Sequence, residues 1–410
     1  MKRVLILGSS TNGIYYQMID HFLAHKTIVF IVKENPNSVL NNKLTINDFV
    51  KIVTPSEYLS FLDKILLKSI PVILSYVDLK IFKFYYKIFR KEEELIKLLK
   101  YPTLKRPVYN MLLYSKIINR IDVDYVLCLN VYFYGLCSIF TKRKKVVAQP
   151  WGSDVNLYAL SSPLRFFLVK KSLQSSAYVA PAGKSVIPFI IDSYALNPSK
   201  VVFLPPIVDD SIFFPLSSDQ IKSLRKKLNI PEDAIVFFSC RRFFEGWGPE
   251  LIKILFLKLA IAIPNSFYLV LSGSDYNTLI DSFENELPIN IKKQFLFIKR
   301  EISIREFALF SQISDFTVSA MTNRDMRSSS ILQSTASGAY PILYNQEEYN
   351  ILVKDGFSAL LFNSIDDKLI SEIKDLAFDK NRLLILRKRN NAFFENQRRN
   401  SYVAILNSLF

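Results

Sequence analysis

The stretch AMTNRDMRSSSILQSTASGAYPIL, residues 320–343, holds the pattern of an α/β fold within 24 residues. The mostly apolar residues 315–320 predict a strand, and a polar loop follows them. Ser328, Ser329 and Ser330 open a helix that Gly338 ends, and residues 340–343 predict the next strand. Strand, loop, helix and strand in this order predict a parallel βαβ unit.

The same stretch predicts a ligand site. Hydroxyls and backbone N–H groups at a helix N-terminus attract anions, and Arg324 and Arg327 add positive charge. Asp325 lies near the carboxyl end of the predicted strand, where ligands bind in open α/β sheets. Gln333 lies inside the predicted helix. The alternative is a plainly capped helix beside a surface loop.

The alternation of strand and helix recurs along most of the chain. Apolar runs that predict further strands are residues 4–7, 27–32, 125–129, 146–148, 178–180, 201–204, 234–239, 267–272, 294–298 and 360–362. The first run is followed by a polar loop from Gly8 to Gly13 and then by a helical pattern. Such a loop suits an anion or a sugar, with an ordinary βα turn as the alternative.

Three prolines in residues 205–215 separate two such alternating halves and predict an interdomain linker. The fold class is therefore α/β, with two doubly wound, Rossmann-like parallel-sheet domains facing each other across a cleft. The predicted boundaries are 1–205 for the first domain, 206–216 for the linker and 217–380 for the second domain.

Composition excludes several classes of protein. Half of the 410 residues are hydrophobic and 22% are charged, which excludes wholesale disorder. Three cysteines without a C-x-x-C pair make a disulfide framework unfavourable and favour a reducing, cytoplasmic location. His21 and His25 are the only histidines, so neither a zinc site nor a Ser-His-Asp hydrolase is expected. No apolar run is long enough to predict a membrane-spanning helix.

Positive charge is concentrated in the first half. Residues 1–205 carry a net charge of +15, and residues 206–410 carry +1. Lys80, Lys83, Lys87 and Lys91 repeat at helical spacing among aromatic residues. This pattern in residues 80–91 favours contact with an anionic membrane surface, with a solvated helix face as the alternative. No nucleic-acid-binding motif accompanies the charge, so no nucleic-acid partner is expected.

The sequence resembles the GT-B-fold glycosyltransferases of the group 1 (family 4) type over most of its length. Asp325 and Gln333 fall at the two acidic positions of that family's pattern, and residues 335–338 follow in register. Residues 149–154, which include Trp151, Gly152, Ser153 and Asp154, resemble its Gly-Ser-Asp loop.

Three further segments are similar to the same family. Residues 239–241 and Trp247 with Gly248 resemble its Gly-Arg…Lys-Gly loop, Gly273 fits a glycine that follows the next strand, and residues 355–361 resemble its Asp-Gly…Gly-Leu-Leu element. The resemblance implies that residues 381–410 return to pack on the first domain.

The resemblance implies transfer of a sugar from a nucleotide-diphosphate sugar, with retention and without an essential metal or cofactor. Asp325 and Asp154 would be the catalytic residues. The implied donor-binding residues are Arg241, Arg242, Gly273, Arg327, Ser328, Ser329, Ser330 and Gln333. The implied acceptor loops contain Gly8, Gly13, Trp151, Gly152 and Ser153. A glycan or lipid-linked acceptor in surface polysaccharide synthesis would fit the basic first half.

Three positions depart from the family pattern: Gln333 replaces a carboxylate, Trp247 stands where a donor-binding Lys is expected, and Trp151 replaces a frequent His. An alternative function is therefore a catalytically inactive GT-B scaffold that binds a nucleotide or a protein partner. A nucleotide-sugar epimerase is a further alternative, which the shortage of ionisable groups makes less favourable.

Overall fold

The computed structural model divides into two compact units, Met1–Pro205 and Pro206–Phe410. It describes residues 3–7, 28–32, 50–53, 69–73, 105–141, 145–156, 158–243, 247–272, 277–321, 328–399, 405 and 408.

The first unit contains a six-stranded parallel sheet in the order β3-β2-β1-β4-β5-β6. Its strands are β1 (Arg3–Leu7), β2 (Ile28–Val32), β3 (Val50–Val53), β4 (Tyr125–Leu129), β5 (Lys145–Gln149) and β6 (Tyr178–Val179). All five residues of β4 are buried, as expected of a strand covered on both faces.

The α-helices of the first unit with defined bounds are α1 (Lys105–Arg120), α2 (Ser153–Asn156), α3 (Pro163–Ser175) and α4 (Val186–Tyr194). Ser162 caps α3, because its hydroxyl accepts the backbone N–H of Arg165 at 3.2 Å. Pro163 then occupies the first helical turn, where a missing N–H costs nothing.

The second unit repeats the topology, with the order β12-β11-β10-β7-β8-β9 in a parallel sheet. Its strands are β7 (Ile235–Ser239), β8 (Ser266–Leu271), β9 (Phe295–Ile298), β10 (Phe316–Ser319), β11 (Tyr340–Tyr344) and β12 (Leu360–Phe362). Strand order reverses between β7 and β10, so this is the topological switch point at which such sheets bind ligands.

Helices connect and cover the second sheet. They are α5 (Ser218–Lys227), α6 (Pro249–Ala262), α7 (Asn277–Glu286), α8 (Ile289–Lys292), α9 (Ile304–Gln312), α10 (Ser329–Ala336), α11 (Glu347–Lys354), α12 (Asp367–Phe378) and α13 (Lys380–Arg399). Helices α5 and α9 each begin with a capping box. In both, a serine lies three residues before Gln220 or Glu306, which is the sequence pattern of this motif.

Aromatic side chains fill one face of the second sheet. Phe237 of β7 stacks on Phe316 of β10 at 5.0 Å between ring centroids and on Tyr268 of β8 at 5.4 Å. Tyr268 stacks in turn on Phe295 of β9 at 4.7 Å. Phe238 points to the other face, since successive side chains of a strand alternate. The stacked rings therefore join the four neighbouring strands β10, β7, β8 and β9.

A polar cluster fixes the amino end of the same sheet. The Asp315 carboxylate accepts hydrogen bonds from Arg225 at 2.8 Å and from the backbone N–H of Val236 at 2.9 Å. Arg225 also donates to the carbonyl of Ile313 at 3.0 Å, and Arg387 of α13 donates to the carbonyl of Asp315 at 2.8 Å. The cluster leaves the opposite, carboxyl end of the sheet for the ligand.

The predicted parallel strands are confirmed, with two differences. Residues 201–204 contribute only an isolated parallel bridge, between Val179 and Val201, and are not a full strand. Two prolines follow at 205 and 206, and proline has no N–H to extend a ladder. Strand β3 was not predicted, because its four residues include a lysine and show no long apolar run.

The segment predicted as the linker begins the second unit, where Phe213 is buried and lies 6.2 Å from Phe307 between ring centroids. Helix α13 packs against α10, α12 and β11 of its own unit. The facing cleft and the return of residues 381–410 to the first unit stay predictions. None of the helices in the described residues is long and apolar enough to span a bilayer.

Candidate functional site

The candidate site lies where β7 and β10 end, at the switch point of the second sheet. Ser239 ends β7 and Ser319 ends β10. The two strands are parallel neighbours, with Ser239 paired to Val318, so the residues that follow them lie side by side. Polar residues at these ends therefore converge, although about 80 positions separate them in the sequence.

Arg241 is held at this position by two side chains. Its Nη1 donates a hydrogen bond to Ser328 Oγ at 2.7 Å. Its Cζ lies over the indole of Trp247, 4.8 Å from the ring centroid. A guanidinium can stack through its face and hydrogen-bond through its edge, so both contacts are compatible. Arg241 is thereby positioned at the N-terminus of α10.

The first residues of α10 supply further polar groups. Ser328 is the N-cap residue, and its hydroxyl lies 3.0 Å from Ser330 Oγ. It makes no side-chain capping bond to the helix backbone. The positive end of the helix and Arg241 therefore act on the same point in space, which favours an anion there. Ser329 is the first residue of the helix itself.

Gln333 lies one turn further along α10 and is 4% exposed. Its backbone carbonyl accepts the Ser337 hydroxyl at 3.0 Å. Its implied role in donor binding stays a prediction.

Arg242 lies next to Arg241 in the chain but makes a different contact. Its Nη2 lies 3.9 Å from Glu301, and both side chains are largely exposed. Solvent weakens such an ion pair, which therefore contributes little to stability. The sequence favours Arg241 over Arg242 for phosphate contact, because Arg241 falls at the arginine of the resembling Gly-Arg loop. In the structure Arg241 contacts Ser328 and Trp247, and Arg242 lies near Glu301.

The backbone of Gly248, the residue after Trp247, lies very close to Ala320 at the end of β10. Gly248 adopts a φ of +72°, and a Cβ at this position would lie 2.0 Å from the carbonyl oxygen of Ala320. Glycine is therefore required here both by the backbone angle and by the available space. Gly248 is also the N-cap residue of α6, which carries Ile252 into the core.

A shallow pocket, partly open to solvent, lies between these elements. Its lining includes Ser239, Arg241, Trp247 and Ser319. Ser319 Oγ is buried and has no hydrogen-bond partner among the described residues. A buried, unpartnered hydroxyl is costly, and a ligand hydroxyl or phosphate could satisfy it. Ser319 was not predicted as a site residue, and its only signal was a polar residue ending an apolar strand.

Cys240 lies under the same pocket and does not supply a nucleophile. Its Sγ is 3.8 Å from the carbonyl oxygen of Val318, and burial raises the pKa of the thiol. A raised pKa keeps the thiol protonated near neutral pH, and the thiolate is the reactive form. Among the described residues, the polar groups that line this pocket are serine hydroxyls and arginine guanidiniums.

The Gly-Ser-Asp loop of the first unit has a different geometry. Asp154 is fully buried, its Oδ1 accepts the backbone N–H of Trp151 at 2.8 Å, and its Oδ2 accepts that of Val131 at 2.7 Å. Val131 follows β4 and Trp151 follows β5, so the carboxylate joins the loops at the carboxyl ends of two strands. Gly152 has a φ of +105°, and Ser153 begins α2.

The environment of Asp154 also affects its ionisation. Burial raises its pKa to about 6, while hydrogen bonds from backbone N–H groups act in the opposite direction. With both oxygens bound to the backbone, the carboxylate positions loops in this arrangement and does not reach solvent. Its assignment as a catalytic residue stays a prediction.

Several predicted site residues lie outside the described residues: Gly8, Gly13, Gly273, Asp325 and Arg327, together with residues 80–91. Among the described residues, no group of three or more His, Cys, Asp and Glu side chains is placed to hold a metal ion.

Solved structures share this architecture. The Anabaena protein HepE, crystallised with UDP and glucose, is 12% identical with a TM-score of 0.68, over 100% of this chain and 98% of HepE. A glycosyltransferase from Rickettsia africae is 12% identical with a TM-score of 0.64, and the match covers 99% of this chain and 98% of that protein. A UDP-forming α,α-trehalose-phosphate synthase from Burkholderia vietnamiensis is 11% identical with a TM-score of 0.67, and the match covers 100% of this chain and 99% of that protein.

No family profile matches the sequence, and no curated protein sequence matches it either. The structural likeness extends over the full length of both partners, and at this identity it defines the fold. The chain therefore has the two-domain α/β architecture of the GT-B glycosyltransferases.

Proposed function

We propose that the protein is a glycosyltransferase that takes its sugar from a nucleotide-diphosphate sugar, with the diphosphate bound in the second unit. The observation that carries this proposal is the position of Arg241, hydrogen-bonded to Ser328 at the N-terminus of α10 and stacked on Trp247. A helix N-terminus and a fixed guanidinium form a strong site for phosphate oxygens.

The same groups would serve the reaction. When the bond to the sugar breaks, negative charge grows on the leaving diphosphate, and preorganised donors stabilise that charge without reorganising. Ser319 Oγ and the serine hydroxyls at α10 offer further hydrogen bonds. HepE was crystallised with UDP, and the trehalose-phosphate synthase forms UDP, so uridine diphosphate sugars are the first donors to test.

The finer features of the reaction follow from the sequence resemblance. The proposed transfer retains the anomeric configuration and needs no metal or cofactor. The proposed acceptor is a glycan or a lipid-linked sugar in surface polysaccharide synthesis. The net charge of +15 on residues 1–205 supports a cytoplasmic protein placed peripherally on the inner face of the membrane.

Binding measurements with matched variants test the donor site. Thermal-shift screening against UDP, GDP and CDP selects a nucleotide, and titration calorimetry then measures its affinity. Arg241→Ala removes a charge-assisted contact and is expected to weaken binding about 10- to 150-fold. Arg242→Ala is the control, because Arg242 lies near Glu301. The nucleotide affinity of this variant is expected to stay within about 3-fold of the wild type.

Equal losses in the two variants would contradict the site assignment. Failure of every nucleotide to bind the wild-type protein would contradict the function. Tight binding without any release of the nucleotide from its sugar, with or without glycan acceptors, would instead favour the inactive scaffold.

Substitutions at residues 325 and 333 are expected to affect turnover and nucleotide binding differently. Asp325→Asn is expected to lower turnover strongly while nucleotide affinity stays within a few-fold, because the carboxylate acts as positive charge grows on the sugar. Gln333→Ala is expected to weaken nucleotide binding with a smaller effect on turnover at saturation. Gln333→Glu is the control and is expected to stay active. Full activity in Asp325→Asn would contradict the catalytic assignment.

A further inference from the structure

The side chain of Trp247 contacts Arg241, the residue proposed to bind the diphosphate. Where the resembling family is expected to place a second cation, this chain has an uncharged ring. That ring lies 4.8 Å from the Cζ atom of Arg241 and is only half-buried.

The backbone fixes where the ring lies. Gly248, the next residue, packs so closely on Ala320 at the end of β10 that a Cβ would come within 2.0 Å of its carbonyl oxygen. The carbonyl of Gly248 also accepts the backbone N–H of Ile252 at 3.1 Å, which starts α6. Trp247 is therefore attached to two rigid elements, a strand end and a helix start.

The contacts form a continuous path around the pocket. It runs from Ala320 through Gly248 and Trp247 to Arg241, and from Arg241 to Ser328 at the start of α10. An arginine side chain has many rotamers, and holding it in one of them before the ligand arrives lowers the entropic cost of binding. Stacking on an indole restricts the guanidinium while leaving its edge for hydrogen bonds.

We propose that Trp247 is a positioning residue of the phosphate site, which holds the Arg241 guanidinium at the N-terminus of α10, where it binds the diphosphate. This inference rests on the proposed function. Trp247 would act through Arg241, without itself touching the phosphates.

A double-mutant cycle separates positioning from packing. The dissociation constant of the nucleoside diphosphate selected by thermal shift is measured for the wild type, Trp247→Leu, Arg241→Ala and the double variant. Loss of the ring is expected to weaken binding about 2- to 30-fold in the wild-type background. In the Arg241→Ala background the same substitution is expected to change the affinity less than about 2-fold, because the group being positioned is gone.

Two further variants control for the aromatic face and for folding. Trp247→Phe keeps an aromatic face and is expected to bind within about 3-fold of the wild type. Trp247→Met fills similar space with a flexible apolar chain and should behave like Trp247→Leu. The thermal midpoint of each variant without nucleotide shows whether it is folded, and Trp247→Met replaces Trp247→Leu if the latter unfolds early.

The outcomes are distinguishable. The proposal is supported if loss of the ring weakens nucleotide binding only when Arg241 is present and if Trp247→Phe restores the affinity. Unchanged affinity in folded Trp247→Leu and Trp247→Met overturns it while leaving the proposed function intact. An equal loss in both backgrounds also overturns it, because the ring would then act independently of Arg241. If the wild type binds no nucleoside diphosphate, the proposed function fails and this inference fails with it.

Discussion

Among single residues, Asp154 and Arg241 are charged side chains whose burial and hydrogen-bond partners differ, and the difference suits them to different roles. Asp154 is fully buried and uses both carboxylate oxygens on backbone N–H groups of two loops. Arg241 is held by a hydroxyl and an indole at a pocket that is partly open to solvent. The first arrangement suits loop positioning, and the second suits recognition of an anion.

The buried carboxylate gives a prediction for stability against pH. The folded-state pKa of Asp154, about 6, lies above its ordinary value of 3.8. The folded protein therefore holds the proton more tightly, and the resulting stabilisation is lost as pH rises through about 6. Relative to Asp154→Asn, which cannot ionise, the unfolding free energy of the wild type is expected to fall by about 1 kcal/mol between pH 5 and pH 7.5.

Urea unfolding of both proteins at the two pH values measures this difference. The comparison with Asp154→Asn cancels the titration of all other groups. A difference that does not change with pH, or that changes in the opposite sense, would show that the backbone hydrogen bonds outweigh burial.

At the scale of elements, the site depends on how closely the loop before α6 approaches the end of β10. Gly248 has a positive φ and no room for a Cβ beside Ala320. Gly356 also has a positive φ, +101°, but nothing lies within 4 Å of a Cβ built there. The two glycines therefore share the backbone requirement and differ in the steric one.

This pair gives a matched prediction. Gly356→Ala is expected to cost about 1–3 kcal/mol through backbone strain alone. Gly248→Ala is expected to cost about 1–3 kcal/mol more, because the loop must move away from β10 to admit the methyl group. Chemical unfolding measures both variants. Equal destabilisation would show that the contact with Ala320 relaxes without cost.

At the scale of the whole molecule, charge is distributed unequally between the two units. Residues 1–205 carry +15 and residues 206–410 carry +1. A basic surface on the first unit would bring that unit to an anionic bilayer and leave the second unit less attracted to it.

Liposome co-sedimentation tests this distribution. Binding is expected to require phosphatidylglycerol and to weaken with salt. Replacing Lys80, Lys83 and Lys87 by Glu is expected to release the protein. The control is the same change at Lys226, Lys227 and Lys293, which are exposed in the second unit. Binding to neutral vesicles, or equal release by the control, would argue against a membrane role for residues 80–91.

The two parallel sheets could be predicted from the sequence, because a strand buried on both faces is a continuous apolar run and glycine or proline marks its end. Most predicted strands, and the helix that begins at Ser329, agree with the structure for this reason. The weak strand β3 was missed because a lysine interrupts its short apolar run.

Which polar side chains contact one another could not be predicted in the same way, because those contacts are tertiary. Arg241 and Arg242 are adjacent in the sequence, yet Arg241 contacts Ser328, 87 positions away, and Arg242 lies near Glu301. Likewise, the burial of Asp154 and the approach of Gly248 to Ala320 depend on contacts between segments distant in sequence. The direction of a side chain and its partners are set by the packing of whole elements, which no local pattern encodes.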